Sequence, residues 1–253
     1  RVRFASLGSG SRGNALVVDA GGTRVLVDCG FGPRNLAARL GRLGLEPEDI
    51  DAILVTHEHS DHLAGVSPCA RRHDLDVYLT YGTLSAARFD GVSVRVIDSH
   101  MSFAIGDLEI RPFPVPHDAR EPAQFVFSDG SACLGILTDA GRVTPHMAAM
   151  LGRCDALVLE CNHDAGMLAS GRYPEHLKRR IAGPYGHLDN ATAAELLAQL
   201  DTGRVKHVIA AHLSQENNRP DLARAALAEV LGCQPGWIGL ADQDDGCDWR
   251  QLY

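Results

Sequence analysis

His57, His59, Asp61 and His62 lie within the stretch ILVTHEHSDHLAG, directly after a short apolar run. Imidazoles and a carboxylate at this density are the donors of a transition-metal site. His57 and His59 are two residues apart, so on an extended strand end both rings project to one side and can reach the same ion. Asp61 and His62 follow after a turn and can face a second ion. The motif is not the HExxH of zincins, because position 61 holds Asp rather than His. Split between two ions, these donors leave each short of the three or four protein ligands of a catalytic zinc. Further ligands are therefore expected elsewhere in the chain.

The apolar runs indicate where. DAILVT runs into His57, IRPFPVP into His117, LGILT into Asp139, DALVL into Glu160 and KHVIAA into His212. Continuous apolar runs suit strands buried on both faces, and layered α/β proteins gather ligands at one set of strand ends. His117 can complete a set with His57 and His59. Asp139 can bridge two cations, and His212 can complete the second set. Lone histidines are more often structural, and His73, His100, His146, His176 and His207 are read that way.

The elements that must position these residues are legible in outline. RVRFASL, ALVVDA and TRVLVDC read as strands, with Gly21-Gly22 placed for a two-residue hairpin turn. PRNLAARLGRLG has helical spacing at Leu36, Leu40 and Leu43, with Pro33 near its start and Gly44 at its end. VYLT, VSVRVID, LEIRPFPV, QFVFSD and SACLGILT read as further strands, and Asp129-Gly130 marks a hairpin between the last two. NATAAELLAQL is a helix with Asn190 or Thr192 as cap, and NRPDLARAALAEVLG one with Asn218 as cap and Gly232 as stop. Mixed strands with outer helices give an α/β layered fold, expected here as one domain over residues 1–253 without a separate cap domain.

Composition narrows the function classes. A net charge of −8 argues against a long basic face gripping nucleic acid, though bound cations would add local positive charge. Arg71-Arg72 and Lys178-Arg179-Arg180 read as solvated helix faces. No apolar run approaches the ~20 residues of a membrane span, and the opening RVRFASLGSGSRGN turns polar too early for a secretory signal. Seven cysteines without a CxxC pair suggest reduced packing thiols and a cytoplasmic protein.

Taken together, THEHSDH, a later His, the Asp of TDAG and the His of HLS resemble the metallo-β-lactamase-fold hydrolases. LGSGSRGNA, LECNHDAGML, YPEHLKRRI, GHLDN and AHLSQENN, in that order, resemble the YycJ (WalJ) family over roughly Val2 to Leu231. The resemblance implies an αββα four-layer sandwich of two internally related halves and a metal-dependent nuclease or phosphodiesterase. It implies that His57, His59 and His117 hold one ion, that Asp61, His62 and His212 hold the other, and that Asp139 bridges them. The family's GHL is followed by serine where this chain has Asp189, which bears on substrate contacts but removes no ligand.

Two ions ~3.5–4 Å apart acidify a bridging water into a hydroxide nucleophile and stabilise charge on the attacked and leaving oxygens. Zinc fits the mixed His/Asp set, and manganese is the second choice. The leaving oxygen needs a proton. The resemblance places His187 as general acid, paired with Glu160, and Asp61 joins them as a catalytic carboxylate. Ser9, Ser11, Asn14, Asn162, His163 and Asn217 are candidate substrate contacts. The expected substrate is nucleic acid, DNA in preference and by 5′-exonuclease action, or else a small phosphodiester. A glyoxalase- or lactonase-like hydrolase and a non-catalytic scaffold are the rival readings.

Overall fold

The computed structural model describes residues 1–253. Its strands form two seven-stranded sheets. The first runs in the order β14 (Cys247–Gln251), β1 (Val2–Gly8), β2 (Ala15–Ala20), β3 (Thr23–Val27), β4 (Ala52–Leu54), β5 (Asp76–Thr80), β6 (Val94–Ile97). The second runs β13 (Gly239–Leu240), β12 (His207–Ala211), β11 (Ala156–Glu160), β10 (Cys133–Leu137), β9 (Ala123–Ser128), β8 (Leu108–Pro114), β7 (Phe103–Ile105). Each sheet is antiparallel at one side and parallel at the other: β3 to β6 pair in parallel in the first, β10 to β13 in the second.

Side-chain alternation explains the layering. Phe4, Val18, Val25 and Leu54 from one sheet meet Ile110, Phe125, Phe127 and Val158 from the other in a core between the sheets. The opposite faces are apolar too, so each sheet needs a helical cover. On the first sheet, α1 (Pro33–Arg42) inserts Leu36 and Leu40, and α3 (Val66–His73) adds Val66 and Cys69. On the second, α5 (Pro145–Leu151), α8 (Asn190–Ala198) and α9 (Pro220–Leu231) supply Met147, Leu197 and Leu227. The result is an αββα sandwich. No helix is long and apolar enough to cross a membrane.

The turn readings hold with one refinement. Ala20 pairs with Thr23, so Gly21 and Gly22 form a two-residue hairpin turn at φ +64° and +106°. The second hairpin pairs Ser128 with Cys133, a longer loop in which Asp129 Oδ1 accepts the Ser131 and Ala132 N–H groups. Two caps differ from expectation. Asp189, not Asn190 or Thr192, caps α8 by accepting the Thr192 N–H. Arg219 rather than Asn218 occupies the cap of α9, because Asn218 is buried in a paired amide contact with Asn190. Gly232 closes α9 in the left-handed conformation, as read from sequence. While α7 (Glu175–Ile181) carries the Lys178-Arg179-Arg180 face read as helical, the short helices α2 (Ser60–Leu63), α4 (Tyr81–Ala86), α5 and α6 (Ala165–Ser170) were not foreseen. At one or two turns they carry too little periodicity to register.

Phe127 is fully buried between the sheets. Phe127→Ala is expected to destabilise the protein by about 3–5 kcal/mol; urea denaturation checks this, and a loss under about 1 kcal/mol would mean the inter-sheet core collapses to fill the gap.

Candidate metal centre

Every ligand candidate arrives from the same edge of the two sheets. β4 ends at Leu54, and the chain continues through Val55 and Thr56 to His57 and His59 before α2 turns Asp61 and His62 inward. β10 ends two residues before Asp139, β11 ends on Glu160, and β12 ends immediately before His212. The parallel registers set Glu160 opposite Ala211, next to His212. His57, His62, His117, Asp139, Glu160 and His212 are buried, while His59, Asp61 and His187 are partly so.

The hydrogen-bond partners fix which ring nitrogen each histidine offers. His57 Nδ1 donates to Thr56 Oγ1 at 2.9 Å, whose own proton goes to Asp28 Oδ2 at 2.8 Å. His62 Nδ1 donates to Asp28 Oδ2 at 2.7 Å. His117 Nδ1 donates to the Gly186 carbonyl at 2.9 Å, and His59 Nε2 to that of Asp118 at 3.1 Å. The remaining ring nitrogens turn inward. His59 Nδ1 and His117 Nε2 face each other at 3.3 Å. Zinc–nitrogen bonds of 2.0–2.1 Å in a tetrahedron place ligand atoms about 3.3 Å apart. Asp61 Oδ2 lies 3.2 Å from His62 Nε2 and 3.4 Å from His212 Nε2, forming a second cluster. Asp139 lies between the two sets: Oδ2 is 3.0 Å from His62 Nε2, and Oδ1 is 3.8 Å from His117 Nε2.

These residues fit a pair of divalent cations. His57 Nε2 is fully buried without a hydrogen-bond partner, and the equally buried Asp139 Oδ2 faces only the His62 ring, a costly state unless a cation satisfies them. His57–His59–His117, Asp61–His62–His212 and His57–His62–Asp139 each bring their donor atoms within 4.8 Å of one another. Burial, reinforced by the His62 charge, pushes the His57 imidazole well below its ordinary value and keeps it neutral, as a ligand must be.

Apart from these clusters, His187 Nδ1 sits 2.6 Å from Glu160 Oε1 and 3.2 Å from Asp139 Oδ1. Glu160 Oε2 accepts the backbone N–H groups of Ala140 and Leu188. Burial works against protonation of His187, but the Glu160 charge and the Asp139 hydrogen bond overcome it and hold its pKa well above the ordinary histidine value. Its ring lines a cleft of ≈ 200 Å³ with His59, Asp61, Asp139 and His212. His187 Nε2 is left for a ligand there.

Of the candidate substrate contacts, Ser11 and Asn162 line this cleft. The others are buried, and all but the Asn217 side chain, whose Nδ2 has no partner, are engaged with the protein. Ser9 Oγ accepts the His212 backbone N–H at 2.8 Å. Asn14 accepts the Gly10 N–H and donates to Asp61 Oδ2 at 3.1 Å, so the GSGSRGN turn orients a ligand candidate. His163 accepts the Asn190 N–H at its carbonyl, and the Asn217 carbonyl accepts that of Asp164. Asp189, flagged for substrate contact, is the α8 cap already described.

Sequence reasoning missed Asp28, which carries both His62 and the Thr56–His57 link. Its signal was present: RVLVD is another apolar run ending in a carboxylate. It also missed Asp118, whose carboxylate is gripped by Arg180 at 2.7 Å while its carbonyl holds His59. Two glycines are needed by close approach. A Cβ on Gly30 would fall 2.0 Å from the Asp61 carbonyl oxygen, and one on Gly186 would fall 2.1 Å from that of Ile181.

The chain matches the family model described as a beta-lactamase superfamily domain over residues 23–212. It is 38% identical over 236 residues to exodeoxyribonuclease YycJ of Bacillus anthracis, covering 91% of this chain and 89% of the relative. It is 34% identical to exodeoxyribonuclease WalJ of Streptococcus pneumoniae serotype 2, covering 90% and 88% respectively. Among solved structures, the metallo-β-lactamase fold protein YhfI of Bacillus subtilis superposes with a TM-score of 0.76 at 16% identity, covering 99% of this chain and all of the other. That last likeness is one of fold.

Two outcomes follow from this geometry. Asp28→Ala, which frees the His62 ring, is expected to weaken metal binding about 10–100-fold; titration against a competing chelator measures it, and unchanged affinity would remove Asp28 from the ligand frame. In the metal-free protein, burial lowers the His212 pKa, but the Asp139 charge and the Asp61 hydrogen bond more than offset this and hold it at about 9. A raised histidine contributes fully below its unfolded value, about 6.5, and that contribution is lost as pH rises through the folded one. Metal-free protein should therefore lose stability between about pH 6.5 and 9, and zinc binding over that range should release protons. Denaturation and proton-release titrations test this; pH-independent stability of the metal-free form would refute it.

Proposed function

This chain belongs to the metallo-β-lactamase superfamily, in its YycJ/WalJ branch, and from that premise we propose that it is a metal-dependent nuclease acting on DNA from a 5′ end. The observation that carries the reading is the Glu160–His187 pair beside the ligand clusters, its Nδ1 contact 2.6 Å long. An ester with a good leaving group needs no such donor, whereas a departing sugar alkoxide does.

The proposed roles follow the contacts. His57, His59 and His117 would hold one cation, Asp61, His62 and His212 the other, and Asp139 both. Bound there, two divalent cations would acidify a water and stabilise charge on the attacked and leaving oxygens. Five imidazoles and two carboxylates without a thiolate suit zinc, with manganese as the alternative. Glu160, anchored by two backbone N–H groups, orients His187 through Nδ1, and His187 keeps a proton at Nε2 for the leaving oxygen. Asp61 commits Oδ2 to Asn14, His62 and His212, which leaves Oδ1 to accept a proton from the attacking water. Ser11 and Asn162 are placed to touch the strand. The choice of DNA draws on the names of the two exodeoxyribonuclease relatives, and the 5′ polarity on the resemblance to their family.

His187→Ala should lower kcat about 10²–10⁴-fold on end-labelled DNA, with a much smaller loss on bis-p-nitrophenyl phosphate, whose p-nitrophenolate leaves without a proton, and with metal content unchanged. Product analysis of 5′- and 3′-labelled strands reads the polarity. An inert phosphodiester alongside hydrolysis of a lactone would replace this reading with the small-ester one.

A further inference from the structure

On the His212 side of the clusters lies a second cleft, of ≈ 250 Å³, which the hydrolysis proposed above does not use. It adjoins the first: Ser214 lines both, and Ser9, which carries the His212 N–H, forms part of its wall. Its apolar surface comes from Leu213, Leu240 and Ala241. Asp242 is its only ionisable lining residue, so it repels a phosphate rather than binding one. The wall is pinned in place. Gln243 Oε1 accepts the Arg12 N–H and Nε2 donates to the Gly13 carbonyl, while Asn218 Nδ2 donates to the Cys161 carbonyl.

What remains for a ligand is neutral or acceptor chemistry beside an apolar floor. Gln215 stands exposed at the rim. The Ser214 hydroxyl accepts the Asn217 N–H and keeps its own proton to donate. Asp242 spends Oδ1 on the N–H groups of Asp244 and Asp245, which leaves Oδ2 free to accept. Flat heteroaromatic rings are recognised in this way, by apolar faces with a few polar groups at the edge. The volume falls below the ~300–1,000 Å³ of drug-sized sites, enough for one base and too small for two stacked nucleotides.

We propose that this cleft receives the nucleobase of the nucleotide joined to the scissile phosphate, which would make the enzyme a reader of nucleotides rather than of bare phosphodiesters. The inference rests on the phosphodiesterase reading and narrows its substrate class. An acceptor at Asp242 favours bases with an exocyclic amino group, adenine and cytosine among them, over thymine.

Deoxynucleoside 5′-monophosphates and deoxyribose 5-phosphate, compared as inhibitors of bis-p-nitrophenyl phosphate hydrolysis, test the proposal. The monophosphates should bind at least about tenfold tighter than the abasic sugar phosphate. Gln215→Trp, an exposed position where bulk fills the mouth, should erase that preference while bis-p-nitrophenyl phosphate hydrolysis stays within about twofold of wild type. Equal inhibition by the abasic compound in the wild-type enzyme, or a preference that survives Gln215→Trp, would overturn the base pocket and leave the phosphodiesterase reading intact. A wild-type enzyme that does not hydrolyse bis-p-nitrophenyl phosphate would remove both.

Discussion

The structure is organised around buried negative charge at one edge of the sandwich. Asp28, Asp139 and Glu160 are nearly inaccessible to water, and Asp61 is only partly exposed. Carboxylates this deep are tolerable only when paired, hydrogen-bonded or bound to cations. Glu160 is satisfied by backbone N–H groups and His187, and Asp28 by Thr56 and His62. Asp139 has only histidine rings about it, His62 Nε2 3.0 Å from Oδ2 and His187 Nδ1 3.2 Å from Oδ1. Burial pushes the Asp139 and Asp61 carboxyls toward protonation, but histidines around them reverse this and keep both well below the ordinary carboxylate range. The edge is thus arranged as anions surrounding a place for cations, and the nearby elements serve that arrangement.

Delivering those groups requires backbone conformations that ordinary residues avoid. The non-glycine residues at positive φ are Asp28, Asp74 and His212. Asp74 ends α3, a common place for it. Asp28 and His212 instead follow strands from opposite sheets and turn inward just where the sheet ends. Residues in this region cost about 1–3 kcal/mol each and persist where their surroundings over-determine them. The surroundings here are identifiable: Thr56 donates twice to Asp28, and Ser9 receives the His212 N–H. The GSGSRGN turn therefore acts as a brace for the clusters through Ser9 and Asn14. That accounts for a glycine- and serine-rich segment at this edge.

This division of labour also explains what could be read from sequence. The ligand candidates announced themselves because strand ends in both sheets obey one rule, apolar run then polar residue, and the layered fold followed from the same runs. Sequence distance hid the supporting contacts. Asp28 is 34 residues from the ring it holds, and Ser9 is 203 residues from the N–H it accepts. Neither has a periodicity to betray it. The caps of α8 and α9 were placed too far along or too early for a related reason. Several polar residues stand in a row at each helix start, and tertiary partners decide which one caps: Asn190 and Asn218 are taken by each other, which leaves the work to Asp189.

The distribution of charge bears on how such an enzyme can hold an anionic polymer. The chain carries a net charge of −8, and neither lysine nor arginine lines the cleft over the clusters. Arg180, on the adjoining side, is neutralised by Asp118. Proteins that grip long stretches of nucleic acid do so through a basic track, with an affinity that builds phosphate by phosphate. The lining of this cleft carries no such residues. Attraction is concentrated instead where the cations would sit, with His187 on one side and an apolar-floored cleft bearing the Asp242 carboxylate on the other. A site built this way favours one phosphate and its immediate neighbours over the body of a duplex.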